Sequence, residues 1–125
     1  MRRFALAIFL LLLALPTVGA AQSQAVARNG SAIYTGLTVM IGTTDAPRHL
    51  YLSFEAQCRD VQGAERAVSP EAREAVILLL RGKTVADVST PQGKNRLKDE
   101  LVAALNRAIG SPQVVRVLFL QFLLA

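Results

Sequence analysis

Residues Leu50–Arg59 alternate without a break, and no other stretch restricts the fold so tightly. Leu50, Leu52, Phe54, Ala56 and Cys58 fall on one side, and Tyr51, Ser53, Glu55, Gln57 and Arg59 on the other. Successive side chains of a strand point to opposite faces, so this period of two sorts them into a dry and a wet face. A helix would scatter the same residues around its circumference. The chain therefore contains a half-buried strand, and with it a sheet that rests one face on a core. Upstream, Ile33, Leu37, Val39 and Ile41 fall on one face, and Tyr34, Thr38 and Met40 on the other. Thr35 and Gly36 interrupt the two faces and predict a bulge. The turn-rich segment Gly42–Arg48 joins the two runs, which are expected to form a long hairpin.

Helix signals follow. Ser69-Pro70 reads as N-cap and first helical residue, with Glu71 favourably placed at the positive end of the helix dipole. Ala72, Val76, Leu79 and Leu80 form one apolar stripe, and Gly82 suits the position just past the helix end. Thr84-Val85-Ala86-Asp87 resembles a capping box that opens one extra turn. Ser89-Thr90-Pro91-Gln92 starts a second long helix, whose core stripe is Leu97, Leu101, Ala104, Leu105, Ala108 and Ile109. Lys94, Asn95 and Lys98 are expected to face away from that stripe, and Gly110 and Pro112 to end the helix. The tail Val114–Leu124 is apolar on both faces and, at 11 residues, too short to span a bilayer as a helix. It predicts a strand covered on both sides. The class is α+β, with a small sheet (N-terminal hairpin plus C-terminal strand) packed against two helices.

The N-terminus has a different character. Arg2-Arg3 precede an apolar run from Phe4 to Leu15, followed by Pro16-Thr17-Val18-Gly19-Ala20-Ala21. A basic start, a short apolar stretch and small residues at the end make a secretory signal, with Val18 and Ala20 before a cut at Ala20–Ala21. A retained anchor is the competing reading. Phe4–Ala21 would span roughly 27 Å as a helix, barely the ~30 Å hydrocarbon core. Residues 1–21 are thus a signal peptide or a membrane anchor, with Arg2 and Arg3 cytoplasmic either way. Residues 22–32, which include Asn29-Gly30-Ser31, read as a linker, and 33–125 as one exported domain.

Charge and cysteine content narrow the function classes. Setting aside Arg2 and Arg3 lowers the formal charge from +5 to +3, and the remaining basic residues are interspersed with acids. A clustered basic face for nucleic acid is missing from the pattern. Cys58 is the single cysteine, so stability must come from a packed core rather than an internal disulfide.

Candidate catalytic groups are few. His49 is the only histidine, nine positions from Cys58 on the same strand. That odd separation puts the two on opposite faces, against a thiol–imidazole pair. Cys58 reads as a buried structural thiol and His49 as an exposed residue at a strand entrance. Asp99-Glu100 reads as a solvated helix pair, and Ser69, Ser89 and Ser111 as helix boundaries. No metal-ligand spacing or phosphate loop is recognisable, so no catalytic, cofactor-binding or metal-ligating residue is assigned. Lys94 and Lys98, one turn apart, make either a solvated face or a partner-binding stripe.

From Ser69 onward the chain resembles the flagellar basal body-associated protein FliL family. The resemblance rests on the proline-capped helix Pro70–Leu80, the basic turn Arg81-Gly82-Lys83-Thr84 and the helix start Thr90-Pro91-Gln92-Gly93-Lys94. It continues through Leu97, Leu101 and Leu105-Asn106 to the closing Val114-Val115-Arg116-Val117-Leu118-Phe119-Leu120-Gln121-Phe122. Arg48-His49-Leu50-Tyr51-Leu52 looks like the family's strand entrance, which extends the likeness from about Ile33 to Ala125.

The resemblance implies a non-enzymatic, single-pass inner-membrane component without cofactor. Its periplasmic domain would have a stomatin-type (SPFH-like) fold. It also implies self-association into homo-oligomers and association with flagellar stator and basal-body proteins, in support of motility and chemotaxis. Family members usually have a longer cytoplasmic stretch and a convincing spanning helix, followed by a longer linker. Cleavage after Ala20 would instead give a soluble periplasmic protein, and a scaffold domain of this fold without a flagellar role is the alternative reading.

Overall fold

One antiparallel sheet and a single layer of helices make up the described part of the chain, residues 23–125 of the computed structural model. The targeting segment, residues 1–21, lies outside the described residues. The strands are β1 (Gln24–Arg28), β2 (Ser31–Gly42), β3 (Pro47–Cys58) and β4 (Val114–Leu124), in the order β1-β2-β3-β4. The helices are α1 (Val61–Ala67), α2 (Pro70–Arg81), α3 (Val85–Ser89) and α4 (Pro91–Ile109), all inserted between β3 and β4. The α+β class and the β2–β3 hairpin follow the sequence expectation. Among the described residues no helix is long and apolar enough to cross a membrane.

The dry face of β3 is the one its alternation predicts, with Leu50, Leu52, Phe54 and Ala56 buried and Cys58 half-buried. β2 behaves differently. Ala32 and Tyr34 are buried at its start, and Leu37, Val39 and Ile41 at its end. Between the pairs Tyr34↔Phe54 and Leu37↔Leu52, Thr35 and Gly36 face the single Ser53. The extra residue shifts the side-chain phase by one. Tyr34 is therefore inside and Ile33 outside, the reverse of the faces expected from uninterrupted alternation. Gly36 supplies the left-handed backbone at φ 72°, and its N–H donates to Ser53 Oγ at 3.1 Å.

Tyr34 joins the two layers. Its ring stacks on Phe54 at 4.7 Å between centroids, and its hydroxyl donates to the Ala67 carbonyl at 2.6 Å. Burial pushes the phenol above its ordinary range, with the Arg73 charge pulling the other way, so it remains a neutral donor.

Residues 22–32 are not a linker. Gln24–Arg28 pair with Ser31–Thr35 as β1, through a tight turn at Asn29 (φ 55°) and Gly30 (φ 93°). Asn-Gly is the dipeptide such a turn favours. Small residues, Ala25 and Ala27, occupy the inner face of β1 and leave little hydrophobic pattern to read. α1 is a further addition to the expected order, capped where the Asp60 carboxylate accepts from the Gly63 N–H at 2.7 Å.

The remaining helix boundaries follow side-chain chemistry. Ser69 caps α2, Thr84 and Asp87 form a reciprocal capping box on α3, and Thr90 caps α4. Gly110 ends α4 at φ 84°, whereas Gly82 follows α2 at φ −84°, so a left-handed cap is not what ends that helix. Gly93 has a steric reason. A Cβ there would lie 2.0 Å from the Asp87 carbonyl oxygen, so α3 and α4 approach closely only with glycine at this position.

β4 departs from expectation in its surroundings. Val114 and Val117 are buried, but Val115, Leu120 and Leu123 are more than half exposed. The helices cover one face of the sheet, and β4 is its edge, so one face and one side of this strand remain open.

Replacing Gly93 by alanine is expected to destabilise the fold by roughly 1–3 kcal/mol, because backbone must move to admit the methyl group. Urea denaturation would show it as a lower midpoint at unchanged slope. Tyr34→Phe is expected to lose about 1–2 kcal/mol by leaving the Ala67 carbonyl without its donor. A thermal midpoint equal to that of the parent chain would contradict that role for the hydroxyl.

Candidate functional site

The two candidate nucleophile and base residues do not meet. His49 and Cys58 occupy opposite ends and opposite faces of β3, about 30 Å apart at roughly 3.3 Å per residue. His49 is exposed and stacks on Tyr51 at 6.2 Å between centroids. Cys58 is half-buried, and its thiol donates to the Ala56 carbonyl at 3.5 Å. Burial first, and the nearby Asp60 charge second, raise its pKa above the ordinary thiol value. It is therefore held as a thiol and not as the nucleophilic thiolate. Among the described residues no three His, Cys, Asp or Glu side chains gather as metal ligands.

Surface structure is more informative. The sheet face away from the helices is open and carries Val26, Met40 and Leu123 exposed, with Ile33 and Tyr51 half-buried beside them. On the helical side, Ala75, Leu78, Leu79, Ala104 and Ala108 line an apolar groove of about 440 Å³ between α2 and α4, with Arg107 at its margin. A second concavity, of about 420 Å³, runs between α4 and β4.

Lys94 and Lys98 do not point into solvent. Both are half-buried, with their ammonium groups 4.8 Å from the Phe122 ring centroid and 5.2 Å from that of Phe119. Their alkyl stems cover the aromatic side chains of the sheet edge, and the rings present negative π faces to the charges. The expectation that these lysines face away thus gives way to a helix–strand contact. Its cause is that α4 lies along β4, which sequence periodicity cannot reveal. Of the acidic pair, Glu100 accepts from Lys83 Nζ at 2.5 Å, and Asp99 sits on the wall of the α4–β4 groove.

Asn106 makes the most specific contact of this region. Its Oδ1 accepts from the Val114 N–H at 2.7 Å, and its Nδ2 donates to the Val114 carbonyl at 3.0 Å. A side-chain amide thereby takes the place of a neighbouring strand at the first residue of the sheet edge. The available signal was only a polar residue beside Leu105 near the helix end, and its partner lies across a tight turn.

Comparison with known proteins bears on the domain from β2 onward. No curated protein matches the chain. Residues 33–124, from β2 to the end of β4, match the family model described as flagellar basal body-associated protein FliL, and the chain belongs to that family.

Proposed function

We propose that this protein is a non-enzymatic accessory of the flagellar basal body that supports flagellum-dependent motility and chemotaxis by associating with stator proteins and with copies of itself. Family membership over the hairpin, all the helices and the closing strand is the observation that carries this reading. The separation of His49 from Cys58 agrees with it, since the best nucleophile–base pair in the chain is divided between two faces of one strand. No catalytic, cofactor or metal role is assigned to any residue. In this reading the domain lies in the periplasm, resembles the stomatin-type (SPFH-like) fold, and is held at the inner membrane by residues 1–21. Work is done by rigid surfaces, and the fold offers three: the open sheet face, the α2–α4 groove and the edge of β4.

The alternative is a soluble periplasmic scaffold released by cleavage after Ala20. The small residues Val18, Gly19 and Ala20 favour it. Membrane fractionation combined with N-terminal sequencing separates the two. An intact Met1 in the membrane pellet supports the tethered reading, and a mature Ala21 in the soluble periplasm supports the released one.

A clean deletion is expected to reduce spreading in soft agar while filaments still assemble. Complementation with a Cys58→Ser, His49→Ala double variant is expected to restore spreading fully. Normal swimming in the deletion strain would overturn the flagellar reading, and failure of a stably folded double variant to complement would overturn the non-enzymatic one.

A further inference from the structure

The edge of β4 is long and largely unguarded. Exposed sheet edges are normally blunted by shortness, proline, charge, bulges or a covering segment, because their free backbone groups accept another strand. β1, at the opposite edge, has five residues. β4 has 11 residues, no proline and one charged residue, Arg116. Its two irregularities leave Val115 and Leu120 without cross-strand partners but do not cover the edge.

The direction of the free groups follows from the register. His49 and Ala125 exchange both N–H···O bonds, which fixes the alternation along β3 and β4. Val114, Val117, Phe119 and Phe122 therefore turn their N–H and C=O groups away from β3. Those of Val114 are met by Asn106, which occupies the position of a further strand and closes one end of the edge. Beyond it, Asn95, Lys98, Asp99 and Val102 form a wall at helical spacing over strand residues 115–118. A helix wall beside a free strand edge is the arrangement in which extended peptides bind by strand addition.

Charge indicates what fits. Lys94, Lys98 and Arg116 border the edge against Asp99 alone, and the one ion pair among the described residues joins Lys83 to Glu100 elsewhere. The two lysines rest on aromatic rings and form no ion pair among the described residues, although Asp99 lines the same groove.

We propose that the β4 edge and the α4 wall bind an extended segment of a partner protein as a fifth strand, one that alternates apolar residues with carboxylates. Apolar side chains would lie over Val102 and Val117, and an acidic side chain would reach Lys98 or Arg116. Pairing the same edge with that of a second copy would double the positive charge along the seam, so self-association is left to other faces. The site stands on geometry independent of the flagellar role.

Fluorescence anisotropy on the full chain in detergent micelles tests this with a labelled peptide of alternating valine and glutamate. Binding is expected, roughly tenfold weaker when alternate backbone amides of the peptide are N-methylated, since strand addition depends on those donors. The valine–lysine counterpart is expected to bind weakly. A Lys98→Gln, Arg116→Gln chain is expected to lose roughly three- to tenfold for the glutamate peptide. No binding of the glutamate peptide, or equal binding of its N-methylated or lysine forms, would overturn the proposal. These peptide comparisons need no protein variant, so they hold whether or not the double variant folds. Disulfide cross-linking between copies of a Leu118→Cys chain lacking Cys58 would also overturn it, by giving the edge to a second copy.

Discussion

The bulge opposite Ser53 is the constraint on which the two-layer packing rests. A regular β2 would bury either Ala32 and Tyr34 or Leu37, Val39 and Ile41, but not both sets. One extra residue lets the strand keep both halves on the core. Tyr34 then stands over Phe54, close enough to α1 for its hydroxyl to reach the Ala67 carbonyl. α1 in turn leads through Ser69 into α2, so the seating of the helical layer begins from a backbone irregularity in the sheet. Ser53, with its side chain on the far face, is buried, and its hydroxyl is satisfied by accepting the Gly36 N–H within the bulge.

A second set of constraints lies in Thr90–Lys94. Thr90 Oγ1 accepts the Gly93 N–H at 2.9 Å, Gly93 lets α4 approach the α3 backbone, and Lys94 reaches Phe122 on β4. Five consecutive residues thus start a helix, set its distance from the preceding turn and fasten it to the final strand. At the other end of α4, Asn106 holds Val114 and Gly110 reverses the chain, so helix and edge strand are joined at both ends.

Much of this was legible where local chemistry decides. The alternation of β3, the Ser69 and Thr84 caps, the helix start at Ser89–Gln92 and the Leu97–Leu105 stripe are local properties, and they appear in the structure as read. The bulge at Thr35-Gly36 was legible, but its effect on Tyr34 was not assigned, because a phase shift reverses every face on one side of it. β1 was hidden by its alanines, although Asn29-Gly30 carried the turn. The place of β4 at the sheet edge, and hence the roles of Lys94, Lys98 and Asn106, depends on strand order. Strand order comes from how separate elements meet, and a single strand's residues do not encode it.

β1 also changes how the domain is connected to whatever precedes it. Only Gln22 and Ser23 lie between Ala21 and the first hydrogen-bonded strand, a reach of at most about 10 Å. A tension applied through the N-terminus therefore falls directly on the five residue pairs of the β1–β2 hairpin and on the Arg73 bond to the Ala25 carbonyl. Among the described residues, the hairpin is the first part of the domain in the load path. Its short pairing sets the force at which the sheet would begin to peel.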